Sequence, residues 1–94
     1  MFVRVINFRV KSESISRFEE LCDSARVKLA DISGMQRCIG AVDDSGNAVV
    51  VGVWESEDAA GKAQSAIQAV WGGLSEHFAE PPRPTEYKRG YTMK

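Results

Sequence analysis

The stretch MFVRVINFRV, residues 1–10, predicts a β-strand that is apolar on both faces. Successive side chains of a strand point to opposite faces. One face carries the large apolar residues Phe2, Ile6, Phe8 and Val10. The other face carries two valines and an amide, Val3, Val5 and Asn7. Such a strand belongs at the centre of a sheet that is covered on both sides. An amide among apolar side chains is costly unless it is hydrogen-bonded, which makes Asn7 a candidate functional residue.

The stretch AVVVGVW, residues 48–54, has the same two-faced character. Its alternation places Val49, Val51 and Val53 on one face, with Ala48, Val50 and Trp54 on the other. Gly52 interrupts the strand where a side chain would pack, which indicates either room for a ligand or a large neighbouring side chain.

The segments around these strands alternate between helical and extended patterns. Apolar residues recur at steps of three and four in the segment of residues 12–34, which predicts an amphipathic helix. MQRCIGAV, residues 35–42, predicts a second strand, and DDSGN, residues 43–47, a tight turn into the third. Ser56 suits the N-cap of a second helix, which Gly72 and Gly73 are expected to kink. EPPRP, residues 80–84, ends helical structure, and TEYKRGYT, residues 85–92, predicts a short fourth strand.

The resulting order, β-α-β-β-α-β, predicts an α+β, ferredoxin-like sandwich formed by one domain over residues 1–94. The first and third strands are expected to lie centrally and parallel. Two helices cover only one face of a four-stranded sheet, so the other apolar face requires cover. A second copy of the chain packed sheet to sheet provides it, which predicts a homodimer. The alternative is cover by loops and the C-terminal tail.

Composition limits the function classes. The chain has 94 residues, is 44% hydrophobic and 27% charged, and has a formal net charge of −1, as expected of a soluble globular domain. No basic block predicts nucleic-acid binding. No signal peptide or membrane-spanning segment is recognisable, so a cytoplasmic location and no membrane association are expected. The spacing of Cys22 and Cys38 fits no metal motif, so reduced thiols and no metal site are expected.

The stretches DISGMQRCIG, residues 31–40, and VVVGVWESEDAA, residues 49–60, resemble the antibiotic biosynthesis monooxygenase family of the dimeric α+β-barrel superfamily. The resemblance implies two ferredoxin-like sheets closing into a barrel at the dimer interface, with a pocket between sheet and helices in each subunit. It also implies oxygenation of a small aromatic, quinol-like or polyketide-like substrate without cofactor. A haem-degrading branch uses an Asn on the first strand and a Trp and His about three turns apart on the second helix. Here Trp71 and His77 are six residues apart, which makes haem degradation the less favoured variant.

The candidate site combines polar and aromatic residues. Asn7 and His77 are the candidate catalytic residues, Asn7 as an amide donor to a substrate oxygen and His77 as a general base. We expect Asn7 to lie under the helices with one of the two residues His77 and Trp71 opposite it. Candidate substrate-binding residues are Trp71, Phe78, Trp54 and Gly52. The alternatives are structural: a backbone-bonded Asn7, a packed or surface His77 and core aromatic residues. A non-catalytic dimeric protein that binds a small ligand, or serves as an interaction module, is the second function hypothesis.

Overall fold

The computed structural model describes all 94 residues as a four-stranded sheet with three helices on one face. In chain order the elements are β1 (Phe2–Val10), α1 (Ile15–Ala30), β2 (Met35–Val42), β3 (Asn47–Trp54), α2 (Glu57–Lys62), α3 (Gln64–Leu74) and β4 (Phe78–Tyr87). Short 3₁₀ turns at Ser12–Ser14 and Ser75–His77 precede α1 and β4. The predicted α+β, ferredoxin-like fold is confirmed.

The strand order in the sheet is β2-β3-β1-β4, which puts β1 and β3 at the centre as predicted. Their direction was predicted wrongly: Phe2 pairs with Trp54 and Arg9 with Asn47, so β1 and β3 are antiparallel. The helical crossover of α1 leads from β1 to β2, and the hairpin after β2 then reverses the chain. The strand inserted between β1 and β2 is therefore antiparallel to both of its neighbours.

The helices cover the sheet face that carries the even-numbered residues of β1 and β3. A core of six residues fills this layer: Ile6, Phe8, Val10, Phe18, Ala48 and Leu74. A smaller cluster of Phe2, Trp54 and Ala60 closes the end of the layer near α2. We call this face the helix face and the opposite one the open face.

The open face carries valines that are only half-buried, namely Val3, Val5, Val49, Val51 and Val53. Asn7 shares this face and is exposed. The expectation that Asn7 lies under the helices is wrong. The large aromatic side chains of β1 occupy the thicker helix-covered layer instead, while the small β-branched ones remain on the flat open face.

An aromatic cluster anchors α3 to the sheet. The Phe8 ring lies 5.5 Å from Phe18, 5.3 Å from Trp71 and 4.9 Å from Phe78, measured between ring centroids. The contacts with Phe18 and Trp71 are edge-to-face, which is a preferred arrangement for aromatic pairs. Phe8 therefore connects α1, α3 and the start of β4.

The second helical segment divides at Ala63, earlier than expected. The Ser56 hydroxyl accepts a hydrogen bond from the Ala59 N–H at 3.1 Å, which confirms the predicted N-cap. Ala63 has φ −90° and ψ 1°, which ends α2, and α3 then runs without a break through Gly72 and Gly73. The helical cost of two glycines is about 2 kcal/mol, and the packing of the flanking Trp71 and Leu74 against the core holds α3 in register.

The fourth strand is longer than predicted and begins at Phe78. It includes all three prolines of the chain, which were expected to precede the strand, whereas residues 88–94 lie outside it. Proline is tolerated on an edge strand and at bulges. β4 is the sheet edge beside β1, and its pairing shifts register between Asn7 and Arg9.

The β2–β3 turn is organised by Asp43. Its Oδ1 accepts hydrogen bonds from the backbone N–H groups of Asn47 and Ser45, each at 2.9 Å. The bonds from the Asn47 backbone and side chain are the main reasons why the pKa of the Asp43 carboxyl is lowered. Gly46 has φ +91°, and its carbonyl accepts from the Val10 N–H at 2.8 Å, which ties the turn to β1.

Candidate functional site

A cavity of about 630 Å³ lies between the helix face of the sheet and helices α1 and α3. Its walls are mainly apolar, and they include Phe18 and Ala25 of α1 and Val70 and Trp71 of α3. Small-molecule sites generally have volumes of about 300–1,000 Å³. The cavity is therefore large enough for a ligand of several fused rings.

The cavity exists because α1 does not cover the outer strand of the sheet. Cys38 and Gly40 of β2 point to the helix face yet remain exposed. Gly52 of β3 lies on the floor of the cavity, and a Cβ there would lie 3.1 Å from Trp54 Nε1 and 3.9 Å from Met35 Cε. Of the two alternatives for Gly52, these distances support the large neighbouring side chain, which is the Trp54 indole.

The candidate substrate-binding residues divide between the wall and the packing behind it. Trp54, Trp71 and Gly52 line the cavity. Phe78 does not line it and instead packs behind Trp71, with ring centroids 5.7 Å apart. Phe78 therefore supports the Trp71 wall.

The two candidate catalytic residues are not brought together. Asn7 lies on the open face, and His77 lies in the 3₁₀ turn before β4, where its carbonyl accepts a hydrogen bond from the Lys11 N–H at 2.9 Å. His77 Nε2 is 3.6 Å from Glu76 Oε1. Neither residue lines the cavity, so the expectation of Asn7 in a cavity opposite one of the two residues His77 and Trp71 is wrong.

Sequence reasoning missed Arg4, the charged residue that a central strand contributes to the cavity. It belongs to the even-numbered series of β1 and pairs with Gly52 across the strands, so its side chain lies on the helix face. Its Nε and Nη2 donate to Glu86 Oε2 at 3.0 and 2.8 Å, and its Cζ is 5.6 Å from the centre of the Phe2 ring. The signal was a cation within an apolar alternation, at the same parity as Phe2 and Ile6.

The Trp54 indole supplies a second N–H to the same cavity. Trp54 is 1% exposed, and its indole N–H forms no hydrogen bond with the protein. Every side-chain nitrogen and oxygen that is fully enclosed has a hydrogen-bond partner. Trp54 lines the cavity, and its Nε1 lies beside Gly52. Arg4 and Trp54 are diagonal neighbours on adjacent strands, separated by the missing side chain of Gly52.

Both cysteines line the cavity, Cys22 from α1 and Cys38 from β2, and both are free thiols. Partial desolvation raises the pKa of each thiol, and the nearby Cys38 and Glu19 raise the pKa of Cys22 further. A raised pKa means less thiolate at neutral pH. Since the thiolate is the nucleophile, these cysteines are poor nucleophiles there.

This predicts slow alkylation of the cysteines. With iodoacetamide, we expect the pH midpoint of the reaction rate to lie above that of free cysteine for both residues, because burial raises the pKa of each thiol. Peptide mass spectrometry after timed quenching measures each site separately. A rate midpoint at or below that of free cysteine for either thiol would contradict the prediction.

No group of three or more His, Cys, Asp or Glu side chains is arranged to hold a metal ion. The carboxylates on the cavity wall, Glu19 and Asp23, belong to α1 and are exposed. The arrangement can therefore enclose an apolar ligand and offer it two N–H donors.

No helix in the structure has both the length and the apolar character needed to span a lipid bilayer.

Comparison with known proteins agrees with this architecture. The sequence profile described as antibiotic biosynthesis monooxygenase matches residues 1–80. A conserved protein from Methanosarcina mazei Go1 superposes with a TM-score of 0.80 at 17% identity, covering 96% of this chain and 94% of that one. Rv0793 from Mycobacterium tuberculosis gives 0.80 at 14% identity, with 99% and 98% coverage.

A third solved structure is SnoaB, a cofactor-independent oxygenase from Streptomyces nogalater. It has a TM-score of 0.79 and 17% identity, with 98% of this chain and 95% of that chain covered. Comparison with curated protein sequences gave no significant match. At these identities the structural likeness establishes the fold.

Proposed function

Because the chain belongs to the antibiotic biosynthesis monooxygenase family, we propose that it is a cofactor-independent monooxygenase of a small aromatic, quinol-like or polyketide-like substrate. The observation that carries this proposal is the cavity of about 630 Å³ between helices and sheet, with two tryptophans and two arginines, Arg4 and Arg26, on its wall. A flat aromatic ligand matches these walls in size and in polarity.

The proposed chemistry needs no group beyond substrate and dioxygen. With anthrone as substrate, the central CH₂ carbon loses both hydrogens, one oxygen atom becomes the new carbonyl, and the other leaves as water. The substrate supplies all four electrons, so the products are anthraquinone and water. The protein has to enclose the substrate, exclude bulk water and stabilise the anion formed when the substrate loses its first proton.

In this proposal Trp54, Trp71 and Gly52 form the substrate-binding wall, and the N–H groups at the cavity floor stabilise the anion. Asn7 and His77 take no part in it, because neither side chain faces the cavity. The carboxylates of Glu19 and Asp23 are exposed on α1, where they are weak general bases. The proposal is therefore restricted to substrates that lose their first proton readily.

We also propose that the protein acts as a homodimer joined through the open face. The half-buried valines of β1 and β3 adjoin Ile39 of β2, which is an exposed large hydrophobic residue. A contiguous apolar sheet surface of this kind is unfavourable in water. Face-to-face packing of two copies, with sheets about 10 Å apart, removes it.

Anthrone turnover under ¹⁸O₂ tests the function. We expect anthraquinone carrying one labelled oxygen, and a rate lowered at least about tenfold by Gly52→Leu, equivalent to about 1.4 kcal/mol of activation free energy. Gly72→Leu is the matched control, because a Cβ at Gly72 meets open space. Product formation no faster than without protein, across anthrones and hydroquinones, would refute the monooxygenase.

The second candidate function is binding without catalysis. The observation in its favour is that the two cavity-lining carboxylates, Glu19 and Asp23, are exposed on α1. Saturable binding of the same compounds without oxygen uptake would support this alternative.

A further inference from the structure

Arg4 is placed where a cation is expensive unless it has a specific role. It lies on a central strand among Phe2 and Ile6, and its side chain is 17% exposed. Partial burial of a charge requires compensation. Glu86 gives part of it, but both of its hydrogen bonds to Arg4 end on one carboxylate oxygen and use only Nε and Nη2. Nη1 has no partner in the protein.

The indole N–H of Trp54 also lacks a hydrogen-bond acceptor in the protein. It is a donor only, and it lies beside Gly52 in the cavity wall. The register pairs Arg4 with Gly52 and Phe2 with Trp54, so Arg4 and Trp54 take diagonal positions on the helix face with no side chain at Gly52 between them, and both line the cavity. The Cβ position at Gly52 is 3.1 Å from Trp54 Nε1, which is hydrogen-bond distance for a ligand oxygen at that point.

We propose that the gap between Arg4 and Trp54 is an oxyanion-binding corner, which selects planar aromatic ligands carrying a phenolate, enolate or carboxylate oxygen. Two N–H donors, one of them charged, favour an anionic acceptor over a neutral one, and the Glu86 carboxylate beside Arg4 offsets part of that preference. The corner rests on the proposed function in placing a ligand in the same cavity. It requires no oxygen chemistry, so ligand binding tests it separately from turnover.

The test compares two probes of nearly equal shape, 2-naphthoate and 2-naphthamide, near neutral pH. We expect the wild-type protein to bind the carboxylate about tenfold more tightly than the amide, equivalent to about 1.4 kcal/mol. Calorimetry gives both affinities. The chain has two tryptophans, so its ¹H–¹⁵N spectrum contains two indole signals, and Trp54→Phe identifies the one that 2-naphthoate should shift.

Variants separate this corner from general cavity effects. Arg4→Gln should reduce the carboxylate preference to near unity, and Trp54→Phe should reduce it several-fold while preserving an aromatic wall. Arg17→Gln is the matched control, because Arg17 is exposed on α1, pairs with Glu20 and does not line the cavity. It should leave the preference unchanged.

Glu86→Gln tests whether a loss of affinity in the other variants comes from misfolding, because this variant is expected to gain affinity. It removes the carboxylate that competes for the Arg4 guanidinium, so 2-naphthoate should bind several-fold more tightly than to wild type. A damaged fold does not produce that gain. The corner is refuted by equal affinity for the two probes, by no binding of either at about 1 mM, equivalent to about −4 kcal/mol, or by a preference that survives Arg4→Gln.

The outcomes also separate the corner from the enzyme. Carboxylate-selective binding that depends on Arg4, with no turnover of anthrones, would leave the corner standing and refute the monooxygenase. Turnover that is insensitive to Arg4→Gln and Trp54→Phe, with equal probe affinities, would do the reverse.

Discussion

Val51→Asp is expected to abolish the homodimer. Val51 lies on the open face and pairs with Val5 of the neighbouring central strand, so its side chain is placed at the middle of the proposed sheet-to-sheet interface. An unpaired carboxylate there must either remain buried, at about 3–5 kcal/mol, or keep the interface open to water. By the two-fold symmetry of a dimer, the substitution introduces two such charges.

Sedimentation velocity at micromolar concentration measures the outcome. Wild type should sediment as a dimer, and Val51→Asp as a monomer or as unfolded, aggregating chain. Val27→Asp is the matched control, since Val27 is 75% exposed on α1, and it should sediment like wild type. A wild-type monomer with a cooperative thermal transition would disprove the dimer.

Phe8→Ala is expected to unfold the protein or leave it marginally stable. The Phe8 ring is 4% exposed and touches Phe18, Trp71 and Phe78, which belong to α1, α3 and β4. Truncating a buried phenylalanine costs about 3–5 kcal/mol, against a typical total stability of about 5–15 kcal/mol. Urea unfolding followed by circular dichroism gives the loss.

Tyr91→Ala is the corresponding control, because Tyr91 is 76% exposed beyond β4. We expect its unfolding midpoint to match wild type. If Phe8→Ala lost less than about 1 kcal/mol, a value typical of an average substitution, the aromatic cluster would not be the anchor between helices and sheet.

The order of elements was readable from the sequence because each carries its own periodicity and stop signals. The sequence pattern did not show which face of the sheet the helices cover. Both parities of β1 are apolar, so alternation alone does not say which face the helices take. Side-chain size decides it: Phe2 and Phe8 fill the deep layer beneath helices, whereas Val3 and Val5 suit a flat surface. Weighing volume as well as polarity would have assigned Asn7 to the open face.

The same alternation held the clue to the site. Asn7 attracted attention as the polar residue of β1, yet the costlier anomaly was Arg4, a full charge at the parity of the core. Its neighbour across the strands, Gly52, was recognised as a gap, but only the strand register joins the two. Register and helix placement depend on the assembled sheet, which explains why the candidate wall residues Trp54 and Trp71 were found while the charged donor was missed.

The three prolines of β4 have a consequence for how copies of this chain meet. Each proline withdraws one backbone donor on a strand that forms an outer border of the sheet. A strand from another chain that paired with β4 would lack several backbone donors and would meet the bulge in this strand. Prolines and bulges on edge strands protect natural β-proteins against aggregation in the same way. Association along this border is thereby discouraged, which agrees with the proposed dimer through the open face.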